Sequence, residues 1–199
     1  MSRRLVLASA SPARLRLLRD AGFDPKVVVS DVDETAVTSD DGWSLVAELA
    51  ARKANAVAAR ADIGDAVVIG CDSMLLLDGA VLGKPRDADE AAARWRRMRG
   101  RSGVLLTGHA VVDTADGRLA AEVADTVVRF GEPSDAEIDA YVATGEPLRV
   151  AGAFTLDGRS APFVDGVDGD PSNVIGLSLP LLRRLLAQLG ICITELWSA

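Results

Sequence analysis

The order of strand and helix patterns along the chain constrains its fold more than any other feature. Short apolar runs, typical of buried strands, alternate with segments in which apolar residues recur about every 3.6 positions, as on one face of a helix. The strand patterns cover residues 5–7, 26–29, 66–69, 74–77, 80–82, 103–112, 119–130, 151–156, 163–167 and 191–196, and the helix patterns cover residues 12–21, 43–61, 87–99, 134–144 and 178–189. This alternation predicts an α/β fold around a twisted mixed sheet.

Length and composition fit a single globular domain. The chain has 199 residues, 49% of them apolar and 26% charged, with no repeat and no linker, so we predict one domain over residues 1–199. No apolar run approaches the roughly 20 residues of a membrane-spanning helix, and the first residues lack a signal-peptide pattern. Cys71 and Cys192 each lie in an apolar segment, which predicts two buried thiols and no disulfide. These features together predict a cytoplasmic protein with no membrane partner.

Charge and histidine content exclude several classes of function. The net charge of −7 argues against a polynucleotide partner. The arginine-rich stretch 94–101 is predicted to be a solvated helix face, with Trp95 and Met98 turned inward. The single histidine, His109, excludes a histidine-rich metal site, and it excludes a Ser-His-Asp triad unless His109 itself serves in one.

The stretch between the first strand and the first helix carries an unusual pattern. Ser11 is a good N-cap, and Pro12 suits the first helical position. Capping does not account for Ser9, nor for Arg14 in the first turn, where a cation opposes the helix dipole. An anion held by the serine hydroxyls, the free backbone N–H groups and Arg14 would remove that conflict. The alternative is a purely structural turn.

Three further polar clusters lie beside apolar elements. They are residues 31–34 (Asp-Val-Asp-Glu) in an acidic loop, Asp72 after a strand together with 83–85 (Gly-Lys-Pro), and 169–173 (Gly-Asp-Pro-Ser-Asn) at a helix start. Ligands of open α/β sheets usually bind at strand ends. Each cluster, and Lys53 on the alanine-rich second helix, also has a plain alternative: a solvated loop, a strand-end turn, a surface lysine or a capped helix start.

Taken together, these groups suit a polyphosphate ligand and a divalent cation. Lysines, an arginine, serine hydroxyls and helix-start amides bind phosphates, and carboxylates without Cys or His ligands suit a hard cation such as Mg²⁺ or Mn²⁺. A buried carboxylate beside a second one would have a raised pKa and could act as a base. A P-loop NTPase is excluded because the sequence has no Gly-x-x-x-x-Gly-Lys-Ser/Thr loop. An aspartyl-phosphate enzyme is disfavoured because Asp31-Val32-Asp33 follows only a weak strand.

Seven short motifs resemble those of one family. They are Leu-Ala-Ser-Ala-Ser-Pro-Ala-Arg (7–14), Val-Asp-Glu (32–34), Arg-Lys-Ala (52–54), Gly-Cys-Asp-Ser (70–73), Leu-Gly-Lys-Pro (82–85), Gly-Ala-Phe-Thr-Leu-Asp-Gly (152–158) and Gly-Asp-Pro-Ser-Asn-Val-Ile-Gly-Leu (169–177). In this order and spacing, over residues 5–185, they resemble the Maf proteins, nucleotide pyrophosphatases also described as septum-formation inhibitors.

The resemblance implies a fold and an activity. The fold is two-lobed, with an elongated, twisted mixed β-sheet flanked by helices and a central cleft, and is related to the inosine triphosphate pyrophosphatases. The activity is hydrolysis of a nucleoside triphosphate to the monophosphate and pyrophosphate with Mg²⁺ or Mn²⁺. Members are commonly cytoplasmic and often dimeric, so the resemblance implies a homodimer that removes non-standard nucleotides from the pool.

The resemblance also implies a role for each matching residue. Asp72 is the expected proton acceptor, and Glu34 is expected to join it in holding the metal. Lys53 and Lys84 complete the expected catalytic set by holding the triphosphate. The residues expected to bind substrate are Ser9, Ser11, Ala13, Arg14, Ser73, Asp157, Ser172 and Asn173.

Three positions that separate the subfamilies leave the preferred base open. Ala13 and Ser73 match neither the pyrimidine type nor the methylguanine type. Asp157 can accept hydrogen bonds from a guanine edge, which slightly favours the purine type. The alternatives are a pyrophosphatase of UTP or dTTP, and a nucleotide-binding regulator of cell division without turnover.

Overall fold

The computed structural model describes residues 3–39 and 41–198. Two sequence predictions concern residues outside the described ranges. They are the absence of a signal-peptide pattern at Met1 and Ser2, and the acidic loop at Asp40. The strands are β1 (Arg4–Leu7), β2 (Lys26–Val27), β3 (Ala66–Leu77), β4 (Ala80–Leu82), β5 (Ser102–Asp113), β6 (Leu119–Phe130) and β7 (Val164–Asp168). The helices are α1 (Pro12–Asp20), α2 (Gly42–Ala58), α3 (Ala88–Met98), α4 (Asp135–Ala143), α5 (Pro171–Ile175) and α6 (Leu179–Gln188). Short 3₁₀ turns cover Glu34–Ala36, Pro147–Arg149, Ala151–Ala153, Ala161–Phe163 and Ile193–Leu196.

The strands of the described part of the chain form one seven-stranded mixed sheet. Its order is β2-β1-β3-β5-β6-β7, and β4 pairs with β3 off this path. β1 runs parallel to both β2 and β3, whereas the β3–β4 and β6–β7 pairs are antiparallel. The α/β prediction with a mixed sheet flanked by helices is confirmed.

Three sequence predictions of local structure are wrong. The patterns at 66–69 and 74–77 are parts of one twelve-residue strand, β3, so Asp72 lies inside a strand and not at its end. Polar residues interrupt the apolar pattern there without interrupting the backbone ladder. The predicted strand at 151–156 contains a turn with positive φ at Gly152 and Ala153, and 191–196 ends in a 3₁₀ turn.

Contact clustering divides the chain into two compact units. The first comprises the described residues of Met1–Asp72, Thr107–Ala124 and Gly176–Ala199. Its strands bury side chains on both faces, because successive residues of a strand point to opposite sides. Leu7 and Ile69 pack with α1 and α6, while Val6 and Val68 pack with α2. The first unit is therefore a three-layer helix–sheet–helix structure.

The second unit comprises Ser73–Leu106 and Asp125–Ile175. Its core centres on Trp95 of α3, which is fully buried and lies edge-to-face against Phe130, Tyr141 and Phe163 with ring centroids 5.6 to 5.9 Å apart. The indole Nε1 donates a hydrogen bond of 2.8 Å to the carbonyl of Ala153. The inward orientation predicted for Trp95 is thus confirmed, as is that of Met98, which is also fully buried.

Most of the arginines at 94–101 pair with carboxylates of the same unit. Arg96 binds Asp139 at 2.8 Å, Arg99 binds Asp135 at 2.8 Å and Arg101 binds Asp78 at 2.7 Å. These pairs are solvent-exposed, so each contributes at most about 1 kcal/mol to stability. They support the prediction of a solvated face for these arginines. The prediction is wrong for Arg94, which is 9% exposed because its guanidinium turns inward and donates to the carbonyl of Gly83 and to Glu90.

The prediction of two buried thiols is half right. Cys71 is buried in β3, but Cys192 is exposed. The apolar neighbour Ile191 is buried instead, so the apolar run at 191–193 does not enclose the Cys192 side chain. No helix among the described residues is long and apolar enough to cross a membrane.

Candidate active site

Asp72 faces helix α2 because of the alternation along β3. Ile69 and Cys71 point into the core beside α1 and α6, so the intervening positions point the other way. On that other face, Val68 packs against α2, Gly70 lies against its backbone, and Asp72 contacts its Lys53. Asp72, which the sequence also allowed to be a turn residue, therefore lies beneath α2.

Two glycines let α2 lie directly on the sheet. A Cβ on Gly70 would lie 2.6 Å from the backbone nitrogen of Ala54, and one on Gly108 of β5 would lie 2.9 Å from that of Ala47 and closer still to the carbonyl of Val46. Real Cβ atoms do not make contacts this short. The bare backbone at these two positions is what allows the helix to bring Lys53 down to the level of Asp72.

Lys53 joins two carboxylates. Its Nζ lies 2.5 Å from Asp72 Oδ1 and 2.7 Å from Glu34 Oε1. The side chains of Lys53 and Asp72 are 9% and 7% exposed, which rules out the surface-lysine alternative, whereas Glu34 is 54% exposed. Asp33 caps the short turn that carries Glu34 by accepting a hydrogen bond of 3.0 Å from the backbone N–H of Thr35.

The second carboxylate oxygen of Asp72 is an unsatisfied buried atom. Within the described part of the chain, Oδ2 is buried and has no hydrogen-bond partner. Burial raises the pKa of Asp72 above its ordinary value, the charge of Lys53 and then that of Arg14 act in the opposite direction, and the charge of Glu34 raises it further. A buried acceptor without a donor carries a free-energy cost, which a bound ligand or water that contacts Oδ2 would remove.

Arg14 and Ser9 form a second group next to β3. The Arg14 guanidinium donates from Nε to the carbonyl of Gly176 at 2.7 Å, and from Nη1 to the carbonyl of Cys71 at 2.9 Å and to Ser9 Oγ at 3.1 Å. The conflict between Arg14 and the helix dipole is thus offset in part by carbonyl oxygens. The anion predicted there is not needed to explain the position of the arginine.

The Ser9 hydroxyl is left as a hydrogen-bond donor. Its oxygen accepts from Arg14 Nη1 and, at 3.2 Å, from the backbone N–H of Ser11. Because a hydroxyl has two lone pairs and one hydrogen, the remaining function of this group is donation. Ser11 caps α1 by accepting a hydrogen bond of 3.4 Å from the backbone N–H of Arg14, as predicted.

Comparison with known proteins identifies the family of this chain. The family described as "Maf-like protein" matches residues 4–189. The chain belongs to the Maf family. The predicted family is therefore confirmed, and with it the interpretation of the seven motifs as one set.

Curated relatives of this Maf chain are similar over nearly its whole length. A protein of Streptomyces coelicolor is 68% identical over 98% of this chain and 95% of its own, and one of Streptomyces avermitilis is 63% identical with the same coverage. A Salinispora tropica protein is 59% identical over 98% of this chain and 88% of its own. All three are named "Nucleoside triphosphate pyrophosphatase".

One solved structure also overlaps the Maf chain in part. It is a nucleoside-triphosphatase / dITP/XTP pyrophosphatase from Mycobacterium abscessus, and it overlaps 64% of this chain and 72% of its own. The sequence identity is 18% and the TM-score is 0.39, so the structural similarity is low.

The structure gathers only part of the predicted site into one unit. The first unit holds Ser9, Ser11, Ala13, Arg14, Glu34, Lys53 and Asp72, and the second holds Ser73, Lys84, Asp157, Ser172 and Asn173. In the second unit Lys84 and Asp157 are exposed, and Ser73 is half-buried. The roles of all these residues stay predictions.

Two predicted substrate residues of the second unit have structural partners. The Ser172 hydroxyl donates to the carboxylate of Asp170 at 2.8 Å. The buried side chain of Asn173 donates from Nδ2 to the carbonyl of Leu105 at 3.2 Å and to Thr126 Oγ1 at 3.1 Å. The Asn173 bonds hold α5 to β5 and β6, whereas the Ser172 bond is local to the start of α5.

Sequence analysis gave no role to His109 and missed Gly176. The Nδ1 of His109 lies 2.9 Å from the carbonyl oxygen of Thr107, and its Nε2 accepts a hydrogen bond of 2.8 Å from the backbone N–H of Ser178. Both ring nitrogens therefore contact main-chain atoms, which is not the arrangement of a Ser-His-Asp triad. Gly176 lies in the last family motif, which was the only signal in the sequence that could have drawn attention to it.

Proposed function

We propose that this Maf chain is a nucleoside triphosphate pyrophosphatase that hydrolyses its substrate to the nucleoside monophosphate and pyrophosphate. The names of the curated relatives support this reaction class. The observation that carries the proposal is the buried Asp72 carboxylate, whose Oδ1 contacts Lys53 while its Oδ2 has no partner among the described residues.

Asp72 is suited to accept a proton from water. An ordinary aspartate has a pKa near 4 and is a weak base, but burial raises the pKa of Asp72. A base whose pKa is nearer the working pH removes a proton from an attacking water more effectively. Lys53 holds one oxygen of the carboxylate in place, which leaves Oδ2 to receive that proton.

Arg14, Ser9 and Lys53 are the proposed phosphate ligands of the first unit. Arg14 supplies a planar guanidinium cation of the kind that binds phosphates, and the Ser9 hydroxyl is available as a donor. Lys53 has three donor hydrogens and two carboxylate partners, so it can also interact with a phosphate oxygen. Lys84, Ser172 and Asn173 of the second unit stay proposed contacts on the strength of the motifs alone.

The carboxylates of Asp72 and Glu34 fit a hard divalent cation such as Mg²⁺ or Mn²⁺. Carboxylate oxygens are ligands of the kind these ions prefer, and the Glu34 and Asp72 carboxylates lie together because both contact Lys53. No group of three or more His, Cys, Asp or Glu residues that could hold a metal occurs in the described ranges. Mg²⁺ commonly binds through one or two carboxylates and takes its other ligands from phosphate and water, so the proposed site needs only these two protein carboxylates. A bound cation would neutralise phosphate charge and lower the pKa of water.

The finer choice of substrate is proposed from three positions. Ala13 leaves space beside the Arg14 turn, Ser73 is short, and Asp157 is an exposed acceptor for the donor edge of a purine. We therefore propose modified purine triphosphates as preferred substrates, in keeping with removal of non-standard nucleotides. Ordinary UTP and dTTP are the competing substrates in the test below.

The test is an assay of the purified chain with a panel of standard and modified triphosphates, with Mg²⁺, with Mn²⁺ and with a chelator. Pyrophosphate and monophosphate should form in equal amounts, and the chelator should abolish both. Release of orthophosphate in place of pyrophosphate would overturn the reaction. Nucleotide binding without any product would favour the regulator of cell division that acts without turnover.

A further inference from the structure

The contacts of His109 define its protonation state. A carbonyl oxygen can only accept, so Nδ1, 2.9 Å from the Thr107 carbonyl, carries the hydrogen. A backbone N–H can only donate, so Nε2, 2.8 Å from the Ser178 nitrogen, presents a lone pair. His109 is 1% exposed, and it is therefore a buried, neutral imidazole whose acceptor nitrogen is used to hold a main-chain N–H.

The segment that His109 holds is the same one on which Arg14 rests. Residues 176–178 are buried, with Leu177 fully enclosed in the core beside α1 and α6. Gly176, two residues before the N–H bound by His109, accepts the Arg14 Nε bond of 2.7 Å. A Cβ on Gly176 would lie 3.2 Å from Arg14 Nε, and the φ of +116° at this position is one that side chains rarely adopt. Arg14 therefore packs directly on bare backbone.

We propose that His109 is a positioning residue for the phosphate-binding group. By fixing the N–H of Ser178, it fixes the Gly176 carbonyl on which Arg14 docks. Arg14 in turn contacts Ser9 Oγ and the carbonyl of Cys71, next to Asp72 in β3. Within the first unit, two hydrogen bonds and the main chain of residues 176–178 thus connect the buried His109 to Arg14 and so to the proposed phosphate ligands. This proposal rests on the proposed function for its kinetic readout.

Two replacements of His109 separate the acceptor from the bulk of the ring. His109→Phe keeps a planar ring but has no acceptor, whereas His109→Gln keeps an acceptor that can reach the Ser178 N–H. Each is combined with Arg14→Gln, which removes the charge of the arginine. Thr114→Val is the matched control, because the Thr114 hydroxyl holds Gly64 and Ala66 in the same unit, at the start of β3 and away from Asp72.

We expect His109→Phe to raise KM about tenfold, with a smaller change in kcat. A misplaced Arg14 would lose a hydrogen bond to a phosphate, and the loss of one charge-assisted bond has an effect of this order. His109→Gln should restore most of the affinity. In the Arg14→Gln background, His109→Phe should change KM by no more than about twofold, because the two residues act through one path. Thr114→Val should lower the melting temperature and leave KM unchanged.

The proposal is overturned if the effects of His109→Phe and Arg14→Gln on KM multiply, or if Thr114→Val raises KM equally. Failure of His109→Gln to restore affinity while its melting temperature matches that of the wild type would also contradict it. Binding of inorganic pyrophosphate is measured calorimetrically on the same variants, and the same pattern is expected in Kd. If the protein shows no turnover but the variants change the Kd for pyrophosphate as expected, only the proposed function is contradicted. If the variants do not change this Kd as expected, the role of His109 is overturned.

Discussion

Lys53 and Asp72 are separated by 19 positions in the sequence, and their Nζ and Oδ1 atoms lie 2.5 Å apart in a buried environment. Bringing two charges out of water has a large desolvation cost, and a buried ion pair is often no more stabilising than apolar residues of the same volume. Stability alone therefore gives little reason for this pair. A catalytic role explains the pair better, because burial raises the pKa of the Asp72 base while Lys53 favours its charged form.

The first prediction concerns the acid side of the pH profile. Asp72 must be ionised to accept a proton, so kcat/KM should rise with pH through the pKa of Asp72, which burial raises above the ordinary value. Lys53 lowers that pKa, so Lys53→Met should raise it and move the acid limb to higher pH. Lys26→Met, which removes the exposed lysine of β2, is the control and should leave the limb in place. If the acid limb of kcat/KM in Lys53→Met stays in place or moves to lower pH, the assignment of Asp72 as the base is contradicted.

The second prediction concerns the close contact of α2 with the sheet. Gly70→Ala and Gly108→Ala each place a Cβ against the helix backbone, so each should lower the free energy of unfolding by about 1–3 kcal/mol or more. Activity should fall as well, because a displaced α2 carries Lys53 away from Asp72. Gly117→Asn is the control: this glycine has a positive φ and open space around it, and asparagine tolerates that backbone. Denaturant unfolding of the three variants checks the prediction, and equal stability of all three would contradict it.

Local patterns in the sequence predicted the elements well. Short-range physical rules account for the start of α1 at Pro12 with Ser11 as its cap, for the capping box of Ser134 and Glu137, and for strands β5 and β6. The family motifs predicted the candidate site residues. The caps and strand patterns are local in the sequence, and the motifs are features of the whole family.

The environment of each site residue could not be predicted in the same way. Nothing near Lys53 in the sequence indicates that Gly70 and Gly108 let α2 approach the sheet closely enough to bury its side chain. The continuation of β3 through Asp72 was hidden by its polar residues. The partners of Arg14 and His109, on residues 176 and 178, depend on contacts more than 60 positions apart in the chain.

The third prediction concerns the two thiols. Burial raises the pKa of Cys71 to about 11, so its reactive thiolate is scarce at neutral pH and reagents cannot reach it. Cys192 is exposed, and a hydrogen bond from Thr194 lowers its pKa. Iodoacetamide should therefore label Cys192 quickly in the folded protein and Cys71 only after unfolding, as measured by peptide mass spectrometry. Rapid labelling of Cys71 in the folded state would contradict the described packing of β3.

The most direct test of the account is turnover and binding by the Asp72→Asn variant. Asparagine keeps the size of the side chain but cannot take a proton from water, so kcat should fall by roughly 10²- to 10⁴-fold, the usual contribution of a general base. The affinity for a triphosphate, measured by calorimetry without added metal, should change little, because Arg14, Ser9 and Lys53 remain. Turnover close to that of the wild type would contradict the role of Asp72 as the base on which the proposed reaction depends.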